Sequence, residues 1–324
     1  MATRVRILAA SDIDRAIDMS VAIDVMSAAF GQLAKGRATV PQRLGLETDT
    51  GLVLAMPGFL PDDHALAIKV VTVFPENSRR GLPSVFGLVV VLDASTGAPL
   101  ALLEGGRLTA LRTGAASGLA MKFMARSNAR TVALFGAGVQ ARTQLAAVRA
   151  VRDIAEVRIV SRRAESAERL ASELVGVDAR VLHDPKHAIR GADIVITATT
   201  SPTPLFAGAD LDPGTHVTAI GAYAATMREV DSITVTRARV VVDTRLGALA
   251  EAGDLIVPMR EGVIRADHIV AELAELVSGA VRGRTSDEEI TLFKSVGHAA
   301  QDVALARCVL DVATAQDLGV MVSL

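Results

Sequence analysis

The chain has 324 residues, with 34 basic side chains against 36 acidic, and half of it is hydrophobic while only 3% is aromatic. That hydrophobic share excludes a disordered chain, the near-balanced charge gives no field to attract a nucleic-acid backbone, and with no Trp and one Tyr the core must be aliphatic. At this length one core is near its useful limit, so two domains are expected. The sole cysteine, Cys308, lies in an Ala/Val/Leu stretch, reads as core filler and cannot form an internal disulfide. Residues 1–11 lack the apolar core of a signal peptide, and no run of roughly 18 uncharged apolar residues occurs. A soluble protein of the reducing cytoplasm, bound to neither membrane nor nucleic acid, is expected.

In chain order, Ser11-Asp12-Ile13-Asp14 reads as a helix start, Ile17, Val21, Val25 and Ala28 recur at helical spacing, and Gly31 or Gly36 is the expected stop. Three β-rich runs follow at 51–56, 65–74 and 85–92, and Asp93-Ala-Ser-Thr-Gly97 predicts a hairpin into 99–103. Strands that succeed one another without helices predict an antiparallel sheet. An Ala/Leu/Met-rich stretch over 108–125 predicts a connecting helix. The texture changes at Arg130. Strands at 131–135, 157–160, 193–197, 216–220 and 239–243 now alternate with helical segments such as 142–151 and 165–174, the pattern of a parallel doubly wound sheet. A last helix over 297–318 is expected to return to the first domain. The expected fold is α/β: a Rossmann-type doubly wound sheet at 119–303, plus an α+β domain with an antiparallel sheet from 1–118 and 304–324.

Between the strand at 131–135 and its helix stands Gly136-Ala-Gly138-Val-Gln-Ala141. Two glycines allow a tight turn and close approach of a pyrophosphate, Ala141 allows close helix packing, and the helix N-terminus offers its positive end to the phosphates. Where an NAD site places an acid for the ribose 2′-OH, the chain has Ser161-Arg162-Arg163. Guanidiniums beside a hydroxyl suit a 2′-phosphate, so NADP(H) is expected, with NAD(H) as the alternative. The histidines His64, His183, His187, His216, His268 and His298 show no metal-ligand spacing, and His183 and His187 flank Pro185; they read as solvated loop residues, and no metal site is expected.

Three cations stand out in the first domain: Arg43 after Pro41, Lys69 inside an apolar strand, and Arg112 in Leu108-Thr-Ala-Leu-Arg-Thr-Gly-Ala115. A mid-strand lysine either points to solvent or faces a buried anion, and each cation alone reads as well as a snorkelling side chain. These stretches, with Gly81-Leu-Pro-Ser84, Leu92-Asp-Ala-Ser-Thr-Gly97, Phe135-Gly-Ala-Gly, Thr197-Ala-Thr-Thr-Ser201, Ile220-Gly-Ala222, Glu251-Ala-Gly-Asp254 and Phe293-Lys-Ser-Val-Gly297, resemble the ornithine cyclodeaminase and μ-crystallin family. The resemblance implies a homodimer joined through the first domain and a substrate carboxylate held by Arg43, Lys69 and Arg112; beside it Met56, with Leu54 and Tyr223, reads as an apolar wall, and Ser84 reads equally as a substrate contact or as a turn residue after Gly81-Leu-Pro83. It also implies cofactor contacts from Thr113, Gly136, Ala137, Gly138, Val139, Gln140, Ser161, Arg162, Arg163, Thr199, Ile220, Gly221, Ala222 and Ser295.

Two departures bear on the activity. Where the cyclodeaminases keep an acid after Ile-Gly-x, this chain has Tyr223, and a second family acid aligns with Leu54. A phenol of ordinary pKa near 10 is a poor base at neutral pH, and an ornithine ammonium would lack its counter-charge, so ornithine cyclodeamination is disfavoured. Imine reduction needs only a fixed carboxylate, a placed nicotinamide and excluded water. The expected activity is therefore NAD(P)H-dependent reduction of a ketimine carboxylate such as Δ1-pyrroline-2-carboxylate, or an alanine-type dehydrogenase, with Lys69, Arg112 and Tyr223 as the catalytic candidates. The rival readings are a cyclodeaminase of another diamino acid, a hydroxyproline dehydratase and a non-catalytic NADPH-binding protein. Asp302, after the Phe293-to-Gly297 motif, reads either as an acid that orients that loop or, as is usual for one acid on a helix, as a surface residue.

Overall fold

In the computed structural model, which describes residues 3–324, β1 (Arg4–Leu8) leads into two helices rather than one, α1 (Ala10–Ala16) and α2 (Met19–Ala34). The break falls at Asp18, whose carboxylate accepts the Val21 N–H at 2.9 Å and so caps α2. Gly31 stays inside α2, and the chain turns away at Gly36, whose φ of +63° suits a helix C-terminus. Five strands then run in sequence: β2 (Leu44–Thr48), β3 (Gly51–Leu60), β4 (Ala65–Val73), β5 (Val85–Asp93) and β6 (Pro99–Glu104). Each pairs antiparallel with the next.

From α3 (Gly105–Met124) the chain enters β7 (Thr131–Phe135), α4 (Val139–Val151), β8 (Glu156–Val160), α5 (Ala164–Glu173), β9 (Asp178–Val181), α6 (Pro185–Ile189) and β10 (Ile194–Thr197). It continues through β11 (His216–Ala219), α7 (Ser232–Arg237), β12 (Ala238–Val242), α8 (Arg245–Glu251), α9 (Gly253–Arg260), β13 (Ile269–Glu272), α10 (Leu273–Val277) and β14 (Ile290–Lys294). Helix α11 (Ala299–Ala315) and β15 (Val320–Ser323) close it. Two compact units result, Met1–Arg112 with His298–Leu324, and Thr113–Gly297; the breaks fall after Arg112 and before His298, where the sequence reading put them at 118/119 and 303/304.

The first unit's sheet has the order β15-β1-β6-β5-β4-β3-β2. The consecutive strands β2 to β6 are antiparallel as expected, and β1 joins them parallel to β6. Register puts Met56, Lys69, Val89 and Leu103 in one row across β3 to β6, and all four are buried. Helix α11 packs on β3, β4 and β5, with α2 packed on α11. The opposite face carries the rows of Leu44, Val70 and Leu88 and of Leu46 and Phe86, all exposed. An apolar face of this size on an antiparallel sheet is the kind that marks an interaction surface.

The second unit's sheet, β13-β12-β14-β11-β10-β7-β8-β9, is parallel throughout and doubly wound as expected. Strands β10 and β11 are buried at every position. Strand order reverses at the neighbouring pair β7 and β10, and the crevice beyond the carboxyl ends of such a pair is where open α/β sheets bind ligands. Two histidine expectations need correction. His216 is fully buried, its Nδ1 2.9 Å from Thr291 Oγ1 and its Nε2 2.9 Å from Thr218 Oγ1, and burial drives its pKa down to about 3. His187 lies inside α6, because Pro185 takes the first turn, where its missing N–H costs nothing.

Candidate active site

Lys69 sits mid-strand on the buried side of β4, 2% exposed. An ammonium there must meet an anion, and the anion comes from the far end of the chain. Asp302, on the first turn of α11 and 1% exposed, accepts from Lys69 Nζ at 2.7 Å through Oδ2 and from Arg112 Nε at 3.1 Å through Oδ1. Arg112 Nη1 also donates to Gln301 Oε1 at 2.7 Å. Burial pushes the Lys69 pKa down to about 8, with Arg112 and Arg43 adding to the fall and Asp302 opposing it. Burial raises Asp302, but Arg112 and Lys69 together hold that carboxyl below its ordinary value. Arg43 lies just ahead of β2, within electrostatic reach of Lys69. Met56 is the register partner of Lys69 on β3 and 4% exposed.

Asp302 is the residue that the sequence reading placed wrongly. An acid on an amphipathic helix defaults to the surface, and the signal against that default was the unpaired Lys69 some 233 positions away. Other cations near the first unit's loops are engaged elsewhere: Arg37 pairs with Asp62 at 2.5 Å, and Arg79 with Glu76. Ser84 Oγ lies 3.5 Å from the Pro75 carbonyl, a contact within its own turn. Cys308 is half-buried on α11, where burial raises its thiol pKa.

In the second unit the turn after β7 fits a dinucleotide. Gly136 has φ +111°, and a Cβ there would stand 2.5 Å from the Ala198 carbonyl oxygen, so only glycine permits this approach. Around Gly138 a Cβ would meet nothing within 4 Å, which leaves space over the backbone. Helix α4 starts from Gly138 with no side-chain cap, so its first N–H groups remain for an anion, and Gln140 Oε1 is buried in the same turn with no hydrogen-bond partner among the described residues. Ser161, Arg162 and Arg163 follow β8 as expected, both arginines exposed. Ser295 is 3% exposed, and its Oγ donates to Asp243 Oδ2 at 2.7 Å, an oxygen that also accepts the N–H groups of Val296 at 3.0 Å and Gly297 at 2.7 Å. Thr113 and Ile220 are buried, and Tyr223 is 46% exposed. Among the described residues no cluster of three His, Cys, Asp or Glu could hold a metal, and no single helix is long and apolar enough to cross a membrane.

A sequence model of the ornithine cyclodeaminase/mu-crystallin family matches residues 4–317. A Δ1-pyrroline-2-carboxylate reductase of Bacillus cereus is 39% identical over 319 residues, covering 97% of this chain and 98% of its own. Among solved structures, the Δ1-pyrroline-2-carboxylate reductase of Thermococcus litoralis, in complex with NADH and L-proline, is 42% identical with a TM-score of 0.94, over 98% of this chain and 99% of that one. An archaeal alanine dehydrogenase dimer with bound NAD is 35% identical, also with a TM-score of 0.94, over 99% of each chain.

Two outcomes follow from this geometry. In Asp302→Asn the Lys69 pKa loses the one group that raises it, so the affinity for a small carboxylate, which falls in the parent as pH climbs through about 8, falls at lower pH in the variant. Calorimetric titration with proline across pH measures this, and an unmoved midpoint overturns it. Gly136→Ala forces a Cβ onto the Ala198 carbonyl, and dinucleotide affinity drops by about tenfold or more by fluorescence titration.

Proposed function

The chain belongs to the ornithine cyclodeaminase/mu-crystallin family, and on that premise we propose that it reduces a cyclic imine carboxylate of the Δ1-pyrroline-2-carboxylate type to the corresponding amino acid, using a nicotinamide dinucleotide. The observation that carries this reading is the buried cation set of Lys69 and Arg112 on Asp302, with Arg43 beside it. Lys69 and Arg112 against the single carboxylate of Asp302 leave that buried trio positive by one, a charge that suits a substrate carboxylate. Lys69 keeps one N–H beyond its bonds to Asp302 and Thr109, and Arg112 keeps Nη2.

The bound dinucleotide supplies a hydride to the imine carbon. Gly136, Gly138 and the uncapped start of α4 hold its pyrophosphate. In the first unit Arg43 and Arg112 orient the substrate carboxylate, and Met56 keeps one side of Lys69 dry. The reaction consumes one proton at the imine nitrogen. Lys69 Nζ, with a pKa of about 8, is the clamp donor that can release one near neutral pH. Neither Tyr223 nor Leu54 offers the carboxylate that cyclodeamination needs at those positions. Reduction of the linear imine of alanine is the second reading, favoured by the archaeal alanine dehydrogenase neighbour at 35% identity.

Two finer points belong to the same proposal. Among the described residues no ion pair engages Arg162 or Arg163, and with Ser161 they favour NADPH through its 2′-phosphate, although the two similar structures hold NADH and NAD. The exposed rows of Leu44, Val70 and Leu88 and of Leu46 and Phe86 are covered by the same face of a second copy, making a homodimer like the archaeal neighbour. A thiol count of one and the reduced cofactor fit the cytoplasm.

The deciding assay follows loss of reduced-cofactor absorbance with Δ1-pyrroline-2-carboxylate, and with pyruvate plus ammonia. Turnover of the cyclic imine is expected, with kcat/KM lost by about 10²-fold or more in Arg112→Ala and changed by less than about threefold in Tyr223→Phe. No oxidation with either substrate overturns the reading. Arg162→Asp lowers the NADPH-to-NADH preference, and an unchanged ratio removes the 2′-phosphate assignment. Phe86→Lys shifts the chain toward monomer in sedimentation, whereas an unaltered dimer shows that the interface lies elsewhere.

A further inference from the structure

One buried carboxylate takes five hydrogen-bond donors where β10 and β11 end. Glu229 is 0% exposed. Its Oε1 accepts the Thr199 N–H and Oγ1–H, each at 2.7 Å. Its Oε2 accepts from Thr197 Oγ1 at 2.9 Å, from Gly221 N at 2.7 Å and from Ala222 N at 3.1 Å. The carboxylate is braced from behind: Asp254 Oδ1 accepts the N–H groups of Glu229 at 2.6 Å and Val230 at 3.0 Å. Lys294 Nζ stands 2.8 Å from Asp254 Oδ2 and donates to the Ala222 carbonyl at 2.6 Å.

The backbone around this acid leaves no room for a side chain at Gly221. A Cβ on Gly221 would lie 2.1 Å from the Thr199 carbonyl oxygen and 2.4 Å from Glu229 Oε1. The peptide joining Ala198 to Thr199 gives its N–H to Glu229, and the carbonyl of that same peptide is the one that Gly136 faces. A trans peptide points its two polar groups in opposite directions, so fixing the N–H fixes the carbonyl against the dinucleotide turn. Ala222 is held at both its N–H and its C=O, and the next residue is Tyr223.

We propose that Glu229, braced by Asp254 and Lys294, is the positioning residue that sets Thr199 and Gly221–Ala222 against the Gly136 turn in the arrangement dinucleotide binding requires. This rests on the dinucleotide reading above. A carboxylate is the side chain that fits, because it offers only acceptors, while a glutamine amide would turn two donors of its own toward donors already there. Burial pushes the Glu229 carboxyl up and Asp254 adds to this, but a proton on either oxygen would have to displace a donor from a fully used acceptor.

The test compares the parent chain with Glu229→Gln and Thr199→Val by direct fluorescence titration with NADH and NADPH, the thermal midpoint without cofactor, and KM for the imine carboxylate. Glu229→Gln is expected to weaken dinucleotide binding by about tenfold or more, and Thr199→Val, which keeps the N–H but loses the hydroxyl, by about threefold. KM for the imine stays within about twofold, since the carboxylate clamp belongs to the other unit, and Thr199→Val keeps the cofactor-free midpoint of the parent. A folded Glu229→Gln chain with the parent's dissociation constant overturns the proposal. If Glu229→Gln does not fold, Thr199→Val decides alone, and an unchanged constant overturns it. A parent chain that binds dinucleotide but reduces no imine refutes the reductase reading while the dissociation constants still judge Glu229; one that binds neither dinucleotide refutes both.

Discussion

Lys69 Nζ and the Arg112 guanidinium lie in an aliphatic interior where an unpaired charge is costly, and Asp302 on α11 is the anion that pairs with both. The chemistry of the first unit depends on this contact. Its partners come from β4, α3 and α11, so the clamp exists only once the last helix has packed onto the sheet made by the first hundred residues. The contact also sets the charge available to a ligand. Lys69 and Arg112 together carry one positive charge more than Asp302.

The second unit solves a related problem with different donors. Where parallel strands end, the departing chain has N–H groups that no neighbouring strand can take, and burying them unpaired is costly. Acidic side chains take them instead. Asp243 gathers Thr244, Val296 and Gly297 after β12 and β14, Asp254 holds Glu229 and Val230, and Glu229 gathers Thr199, Gly221 and Ala222. Charge inside this unit therefore serves to fix backbone. In the first unit it stays available to a ligand.

The division between what could and could not be read in advance follows the range of the interactions. Strands β7, β10 and β12 announce themselves because burial on both faces makes each a short, largely apolar run. The Gly136 turn is legible because its requirement is local. Strands β1, β2 and β15 were not legible: β2 and β15 are exposed at every position, and β1 is short and flanked by arginine, so none shows the pattern of a core strand. Asp18 shows the same limit at smaller scale, since a capping residue inside an apolar periodic stretch splits one helix into two. The burial of His216, Glu229 and Asp302 could not be read locally at all. Each is decided by partners brought from elsewhere in the chain, such as Thr291 for His216 and Lys69 for Asp302.

The scarcity of aromatic side chains gives the single tyrosine its meaning. Tyr223 follows Ala222, whose two backbone groups are pinned by Glu229 and Lys294, so its main chain is fixed while its ring is 46% exposed. A phenol at that position offers no carboxylate. Cyclodeamination asks one group to accept and return protons as an amine attacks an imine carbon. Imine reduction asks for a single proton per turnover, and Lys69, at a pKa of about 8 and already bonded to Asp302, can provide it. Tyr223 in place of an acid thus removes what the harder chemistry requires, whereas the easier one makes no such demand of the loop after β11.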